Sequence, residues 1–299
     1  MGHGNAMKLV IVSGRSGSGK STALHVLEDL GFYCIDNLPV GLLLELGKQA
    51  FNGNDKRLEN IAVSIDARNL QNGIDTFPAF YEALQHELVQ IDVIYLDAHS
   101  DTLLKRFHAT RRKHPLSDST HSLTEAIESE KELLVPLATK ADLVIDTTQL
   151  SLYELRDLIK LRVSGRKSQE LALLFQSFGF KHGVPSDADY VFDVRCLPNP
   201  YWDPKLRPYT GLDQPVINFL KNQEDTQIMK NDIIAYLEKW LPKFQNSNRS
   251  YMTVAIGCTG GQHRSVFMSQ ELGTHFKEHF NNIQIRHKEL TGIEKKHLD

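Results

Sequence analysis

The chain has 299 residues, room for about two domains at ~150 residues each. Its 41% hydrophobic and 24% charged residues are ordinary for a globular protein, and a formal charge of −3 excludes a globally basic nucleic-acid binder while leaving local patches free to act. No apolar run approaches the ~18 residues of a membrane span, and no secretory leader is visible. The three scattered cysteines, Cys34, Cys196 and Cys258, fit a reducing, cytoplasmic setting and supply no zinc framework.

Met1–Ala6 reads as a cloning remnant ahead of a native start at Met7 and is set aside. From there the first half alternates short apolar runs with longer periodic stretches, the pattern of a parallel sheet with crossover helices. The runs are Leu9–Val12, Phe32–Ile35, Ile61–Ile65, Val93–Leu96 and Leu143–Ile145. Four of them lead directly into an aspartate, Asp36, Asp66, Asp97 and Asp146, and the first leads into Ser13-Gly14. Parallel strands would bring all five ends to the sheet edge where α/β proteins bind ligands; alternatively each aspartate merely caps the loop or helix that follows.

Gly14-Arg15-Ser16-Gly17-Ser18-Gly19-Lys20-Ser21 matches G-x-x-x-x-G-K-[ST] between a strand and a helix, the setting a P-loop requires. Glycines let backbone amides curl around phosphate oxygens, and the helix that follows aims its unpaired amides at the same anion. Lys20 would reach the terminal phosphates and Ser21 would ligate Mg²⁺, which predicts ATP or GTP with Mg²⁺ as the cofactors. A second magnesium ligand is expected at a neighbouring strand end. Asp97, after the Walker-B-like Val93-Ile94-Tyr95-Leu96, is favoured over Asp66, and any hydrolysis would rest on Lys20 and Asp97. Lys105, Arg106, Arg111, Arg112 and Lys113 form a run without acids. It could clamp phosphates as a lid, contact RNA, or simply be a solvated face.

A helix over Ser151–Val163 is followed by the Ser164-Gly165-Arg166-Lys167-Ser168 break, which places the boundary between a P-loop domain, 1–163, and a second α/β domain, 164–299. In the second half apolar runs recur at Leu171–Phe175, Tyr190–Val194, Met252–Ile256 and Ile283–Ile285, with helical periodicity over Asp213–Lys221, Thr226–Trp240 and Arg264–Phe280. The proline-rich stretch Leu197–Asp213 is expected to be an irregular loop.

Cys258-Thr259-Gly260-Gly261-Gln262-His263-Arg264-Ser265 again joins an apolar run to an amphipathic helix, with glycines, a hydroxyl and an arginine converging. It reads as a phosphate- or phosphosugar-binding loop formed by Cys258, Thr259, Gly260, Gly261, His263 and Arg264. The spacing also fits the loop of cysteine-dependent phosphatases, with a Cys258 thiolate as nucleophile and Asp203 as acid, and a purely structural turn remains a third possibility.

Several segments taken together resemble one family. Ser13 through Thr22, Gly31 through Pro39, His114-Pro115-Leu116, Asp189 through Arg195, Leu197 through Pro208 and Gly257 through Val266 closely resemble the RapZ (YvcJ-like) nucleotide-binding proteins, across nearly the whole chain. The resemblance implies ATP or GTP binding with weak hydrolysis at most, through Gly14–Ser21 and a second motif, Asp66, Ala67, Arg68 and Asn69. It further implies an RNase adapter that presents a small regulatory RNA to RNase E and so controls glucosamine-6-phosphate synthase. In this family the C-terminal domain contacts RNA and senses glucosamine-6-phosphate at the second anion loop, and the chains form homo-oligomers, with a tetramer expected. Candidate RNA contacts here are Lys181, Arg286, Lys288, Lys295 and Lys296, with the basic stretch Arg156–Lys167 in support. The adapter-type tail is strongly basic, whereas this one interleaves Glu289, Glu294 and Asp299, and Tyr201 stands where the family often has histidine. A small-molecule P-loop kinase is the alternative reading.

Overall fold

The structure is a computed structural model that describes residues 8–52, 58–69, 77–86, 90–117, 121–164, 171–247 and 249–290. The chain divides into two compact units, Met1–Ser164 and Gly165–Asp299.

In the first unit the elements run β1 (Lys8–Gly14), α1 (Lys20–Asp29), β2 (Tyr33–Ile35), α2 (Leu43–Asn52), β3 (Asn60–Ser64), α3 (Phe77–His86), β4 (Gln90–Asp97), α4 (Ser100–Thr110), α5 (Leu123–Leu133), α6 (Val135–Thr139), β5 (Leu143–Asp146) and α7 (Leu152–Val163). The strands lie in the order β2-β3-β1-β4-β5, every pair parallel, with Val12 opposite Ser64 and Asp97 opposite Asp146. The apolar runs form strands because a parallel strand covered on both faces needs continuous apolar sequence rather than alternation. Leu9 and Ile11 of β1, with Ile61, Val63, Val93 and Tyr95, pack on Leu43, Phe77, Tyr81, Leu134 and Leu137. The alternate side chains Val10 and Val12 are equally buried, and α1 lies against β1, β3 and α7. Chain order reverses across β1, which has β3 on one side and β4 on the other, so the carboxyl end of β1 is the switch point where such sheets open a crevice. Helices α5 and α7 each start with a capping box, Ser122 with Glu125 and Ser151 with Glu154.

The second unit contains β6 (Ala172–Gly179), β7 (Tyr190–Asp193), α8 (Gln214–Lys221), α9 (Glu224–Asn246), β8 (Tyr251–Cys258), α10 (Arg264–Phe276) and β9 (Ile283–His287), its sheet ordered β7-β8-β6-β9 and wholly parallel. Central strands β6 and β8 are buried at every residue. Phe175, Val254 and Ile256 pack against Ile233, Leu237 and Leu241 of α9 and Met268, Leu272 and Phe276 of α10. Two expectations shift. Helix α9 runs past Trp240 and through Pro242 to Asn246, because the proline falls in the last turns and costs only one carbonyl partner while Leu241 and Phe244 keep the apolar stripe packed. Helix α10 ends at Phe276 rather than Phe280, although a Phe280 N–H to Phe276 C=O bond of 2.9 Å carries one more turn. The proline-rich segment is irregular as expected. It is tied down by a 3₁₀ turn at Pro200–Trp202 and by a Gly211 N–H bond to Gln262 O of 2.8 Å.

Candidate functional site

The first cradle begins where β1 leaves the sheet. Gly14, Gly17 and Gly19 have φ of +140°, +86° and +111°, conformations that a side chain resists. At Gly14 a Cβ would also come within 1.9 Å of Leu96 O, so no other residue fits between β1 and β4. The Ser13 hydroxyl bonds Ile65 O at 2.9 Å, and Thr147, just past β5, donates to Ser18 O at 3.0 Å. Arg106 reaches across from α4 to Gly17 O at 3.0 Å and Thr147 O at 2.6 Å, so one member of the basic run braces the loop while Lys105, Arg111, Arg112 and Lys113 are exposed. The first amides of α1 have no helical partners and open toward the same point. The Ser18 hydroxyl is buried without a partner among the described residues. These features suit a bound phosphate chain.

The charges around Lys20 are arranged differently from the expectation. Its ammonium donates to Gly14 O at 2.6 Å. Burial lowers its pKa from the usual lysine value, against the fields of Glu130, Asp66 and Asp36, which raise it. Asp97 faces elsewhere: its Oδ1 accepts from Arg15 Nε at 2.6 Å and from the Ala98 N–H at 2.8 Å. Arg15 itself is buried, bonded also to Ser100 Oγ at 3.0 Å and to Ala98 O, so only its backbone belongs to the cradle. Asp66, at the end of β3, accepts from the Arg68 N–H at 3.0 Å and from the Arg68 guanidinium at 2.6 and 2.9 Å. Ala67, Arg68 and Asn69 form the 3₁₀ turn beyond it. The acids whose fields act on Lys20 are thus Glu130, Asp66 and Asp36, and both candidate magnesium carboxylates meet an arginine, Asp97 through Arg15 and Asp66 through Arg68. Ser21 lies in the first turn of α1, as the P-loop pattern requires.

Glu130 escaped the sequence reading. This fully buried side chain on α5 accepts from both the amide and the hydroxyl of Ser16, each at 2.7 Å, and from His114 Nε2 at 3.1 Å. His114 Nδ1 accepts the Leu116 N–H at 3.1 Å, which fixes the proton on Nε2 and makes the ring the donor. Burial alone would push the Glu130 carboxyl upward; the bonds from His114 and Ser16 and the nearby Lys20 outweigh it and hold the group below the ordinary carboxylate range. A sequence signal existed: Glu130 falls on the buried stripe of α5 with Ala126 and Ile127.

The second cradle joins β8 to α10. Cys258, buried at the end of β8, has Sγ 3.1 Å from Ser265 Oγ and accepts the Gly261 N–H at 3.2 Å. Burial would raise this thiol, but the bonds from Ser265 and Gly261 and the charge of Arg264 bring it below the ordinary cysteine value. Arg264 is buried, with Nη1 held by Arg195 O at 2.7 Å and Leu197 O at 3.0 Å and Nη2 3.4 Å from Thr259 Oγ1; its Nε has no partner among the described residues. His263 Nε2 and Glu289 Oε2 are likewise buried and unpartnered there. Burial lowers the His263 pKa and raises that of Glu289. Gly260 and Gly261 sit so close to Gly179 that a Cβ on Gly179 would fall 2.8 Å from Gly260 C. The loop therefore brings together Cys258, Thr259, Gly260, Gly261, His263 and Arg264, as the spacing suggested. Asp203 accepts the Lys205 N–H at 2.9 Å in the proline-rich segment. Tyr201 and Trp202 are exposed there, with Arg207 4.7 Å above the Tyr201 ring.

Of the expected RNA contacts, Lys181 is exposed and its N–H bonds Thr259 O at 3.2 Å, beside the second cradle. Arg286 lies in β9 and Lys288 follows it, whereas Lys295 and Lys296 fall outside the described residues. The supporting stretch contributes less than its charge suggests: Arg162 is fully buried and Arg156 pairs with Asp29 at 3.1 Å.

A five-stranded parallel sheet with a complete phosphate cradle at its switch point, followed by a second parallel α/β unit, defines a nucleotide-binding protein of the P-loop NTPase type. The RapZ-like N-terminal domain matches residues 7–167 and the RapZ C-terminal domain residues 171–291. A nucleotide-binding protein of Hahella chejuensis is 63% identical over 284 residues, 95% of this chain and 99% of that protein. One from Marinobacter nauticus is 62% identical over 289 residues, 96% of this chain and 98% of that protein. Shikimate kinase of Bacteroides thetaiotaomicron aligns with 52% of this chain and 96% of its own at 16% identity and a TM-score of 0.36, too distant to carry weight. The chain belongs to the RapZ family of nucleotide-binding proteins. Among the described residues no helix is long and apolar enough to cross a membrane.

Proposed function

We propose that this protein is a nucleotide-dependent RNA adapter of the cytoplasm: it binds ATP or GTP with Mg²⁺ in the first cradle, takes glucosamine-6-phosphate in the second, and presents a small regulatory RNA to RNase E, thereby controlling glucosamine-6-phosphate synthase. The observation that carries this reading is the second cradle, where buried Arg264 leaves its Nε–H unpartnered at the start of α10 and Lys181 lies alongside. One surface thus joins an anion site to an exposed cation. In the first cradle Ser21 would hold the magnesium ion together with Asp97 or Asp66, the two strand-end carboxylates, each of which already meets an arginine. A homo-oligomeric, tetrameric assembly would multiply the RNA contacts. The Arg264 guanidinium is bound to two backbone carbonyls, an arrangement suited to holding a ligand rather than following a phosphorus through displacement.

The test is binding of structured RNA across a salt series, with and without glucosamine-6-phosphate. Replacing Lys181 and Lys288 by alanine should weaken binding and flatten the slope of log K on log salt by about one per lost phosphate contact. Absence of RNA binding even at low salt would refute the adapter role. A small-molecule kinase is the second reading, favoured by the reach of Arg106 from α4 to the cradle. Phosphoryl transfer from ATP to a sugar or nucleoside at about 1 per second or faster would establish it instead.

A further inference from the structure

At the end of α10 opposite the second cradle, helices α9 and α10 bring two imidazoles and a carboxylate together. His275 lies in the last turn of α10 and His279 four residues on; the helical bond from Phe280 N–H to Phe276 O keeps both on one face, with ring centroids 5.4 Å apart. Glu238 of α9 meets them from the facing helix, its Oε1 2.8 Å from His275 Nε2. One ligand atom from each of Glu238, His275 and His279 lies within 4.8 Å of the other two. The neighbouring acid, Glu271, is taken by Lys221 at 3.2 Å and Lys230 at 3.3 Å and is not available as a further ligand.

We propose that Glu238, His275 and His279 form a binding site for a divalent transition-metal ion of the zinc class. Two imidazole nitrogens and one carboxylate oxygen make a borderline donor set that suits Zn²⁺ over Mg²⁺ or Ca²⁺, which prefer all-oxygen shells. With bonds of about 2.0–2.1 Å and tetrahedral angles, the ligand atoms of zinc stand roughly 3.3 Å apart. One pair here stands 2.8 Å apart and all three atoms lie within 4.8 Å of one another, a spread that small rotations of partly exposed side chains can bring to that spacing. The partial exposure, 32% for the His275 side chain and 47% for that of Glu238, leaves the fourth position to water. An ion pair between His275 and Glu238 alone would not require His279, whose placement one turn on supplies the third donor. Occupancy would clamp the end of α10 to α9 and so stiffen the helix whose other end forms the second cradle.

The test uses the full chain. Zinc is titrated by calorimetry, and Co²⁺ serves as a spectroscopic substitute. The expected result is one zinc per chain, a higher melting temperature of the second unit, and a Co²⁺ spectrum without a thiolate charge-transfer band. Zinc binding should be lost in the H275A/H279A double variant and weakened about ten-fold or more in E238Q, with far-UV circular dichroism unchanged because all three side chains are partly or fully exposed. Zinc uptake that survives in the double variant, a thiolate band that assigns the metal to a cysteine, or no measurable uptake by the parent protein would each overturn the proposal.

Discussion

Removing the Glu130 side chain gives the sharpest test of how the first cradle is held. Glu130→Ala would strand three buried groups, the Ser16 amide, the Ser16 hydroxyl and the Nε2–H of His114. At roughly 1–3 kcal/mol for each unpaired buried group, with some relief from entering water, the loss comes to about 4 kcal/mol. That is a large share of the roughly 5–15 kcal/mol that stabilises a typical domain. Glu130→Gln behaves differently. Its carbonyl can accept from both the Ser16 amide and His114, and its amino group can donate to a rotated Ser16 hydroxyl, so the geometry survives and only the charge goes. A cost of about 1 kcal/mol is expected. With a negative charge removed from beside Lys20, nucleoside triphosphate should bind several-fold more tightly. Both tryptophans, Trp202 and Trp240, lie in the second unit, so their fluorescence is blind to this change. Hydrogen exchange at the amides of residues 14–21 is the appropriate readout, paired with denaturation followed by circular dichroism and calorimetry of nucleotide binding. An alanine variant within about 1 kcal/mol of the parent, or a glutamine variant as unstable as alanine, would refute the account.

Other consequences are open to measurement. Burial pushes His287 down to about 4, so in acid the unfolded chain takes up a proton that the folded second unit refuses; stability is full above about 6.5 and falls as pH drops toward 4, by about 2 kcal/mol at pH 5. Tryptophan fluorescence in urea reports this unit, and equal midpoints at pH 7 and pH 5 would contradict it. Arg264→Lys cannot span the carbonyls of both Arg195 and Leu197 and should abolish binding of sugar phosphate, measured by calorimetry, while unchanged affinity would show that Arg264 is not at the site. Gly211→Ala would drive a Cβ to 2.2 Å from His263 O and lower the melting temperature of the second unit, by about 1–3 kcal/mol in stability terms. Lys20→Ala should eliminate nucleotide binding while leaving sugar-phosphate binding intact.

Strands were the most legible part of the sequence, since continuous apolar runs such as Leu9–Val12 and Met252–Ile256 have few other uses when flanked by glycine or aspartate. The two cradles were legible for a related reason: backbone that must bend at Gly14, Gly17 and Gly19 leaves a spacing that survives in one dimension. Side-chain direction did not survive. The Arg15 side chain, within the P-loop, is folded onto Asp97; Arg162 reads as a surface cation and is buried. Glu130 bonds a residue 114 positions away, a pairing that no local pattern encodes, and its only trace is a charged residue on a helix stripe otherwise apolar. Pro242 misled in the other direction, because a proline near a helix end removes too little to stop it.

Gly273, in the last turn of α10, has a consequence of its own. A Cβ there would lie 2.5 Å from the Ile285 side chain of β9, so the helix backbone rests directly on that side chain. Over its 13 residues α10 is a rod about 20 Å long with the second cradle at its tip. On the proposed function, a tilt of that rod when the loop takes an anion would press on Ile285, in the strand that carries Arg286 and leads to Lys288. Occupancy of the proposed sugar-phosphate site would thereby be translated into the posture of the segment proposed to grip RNA.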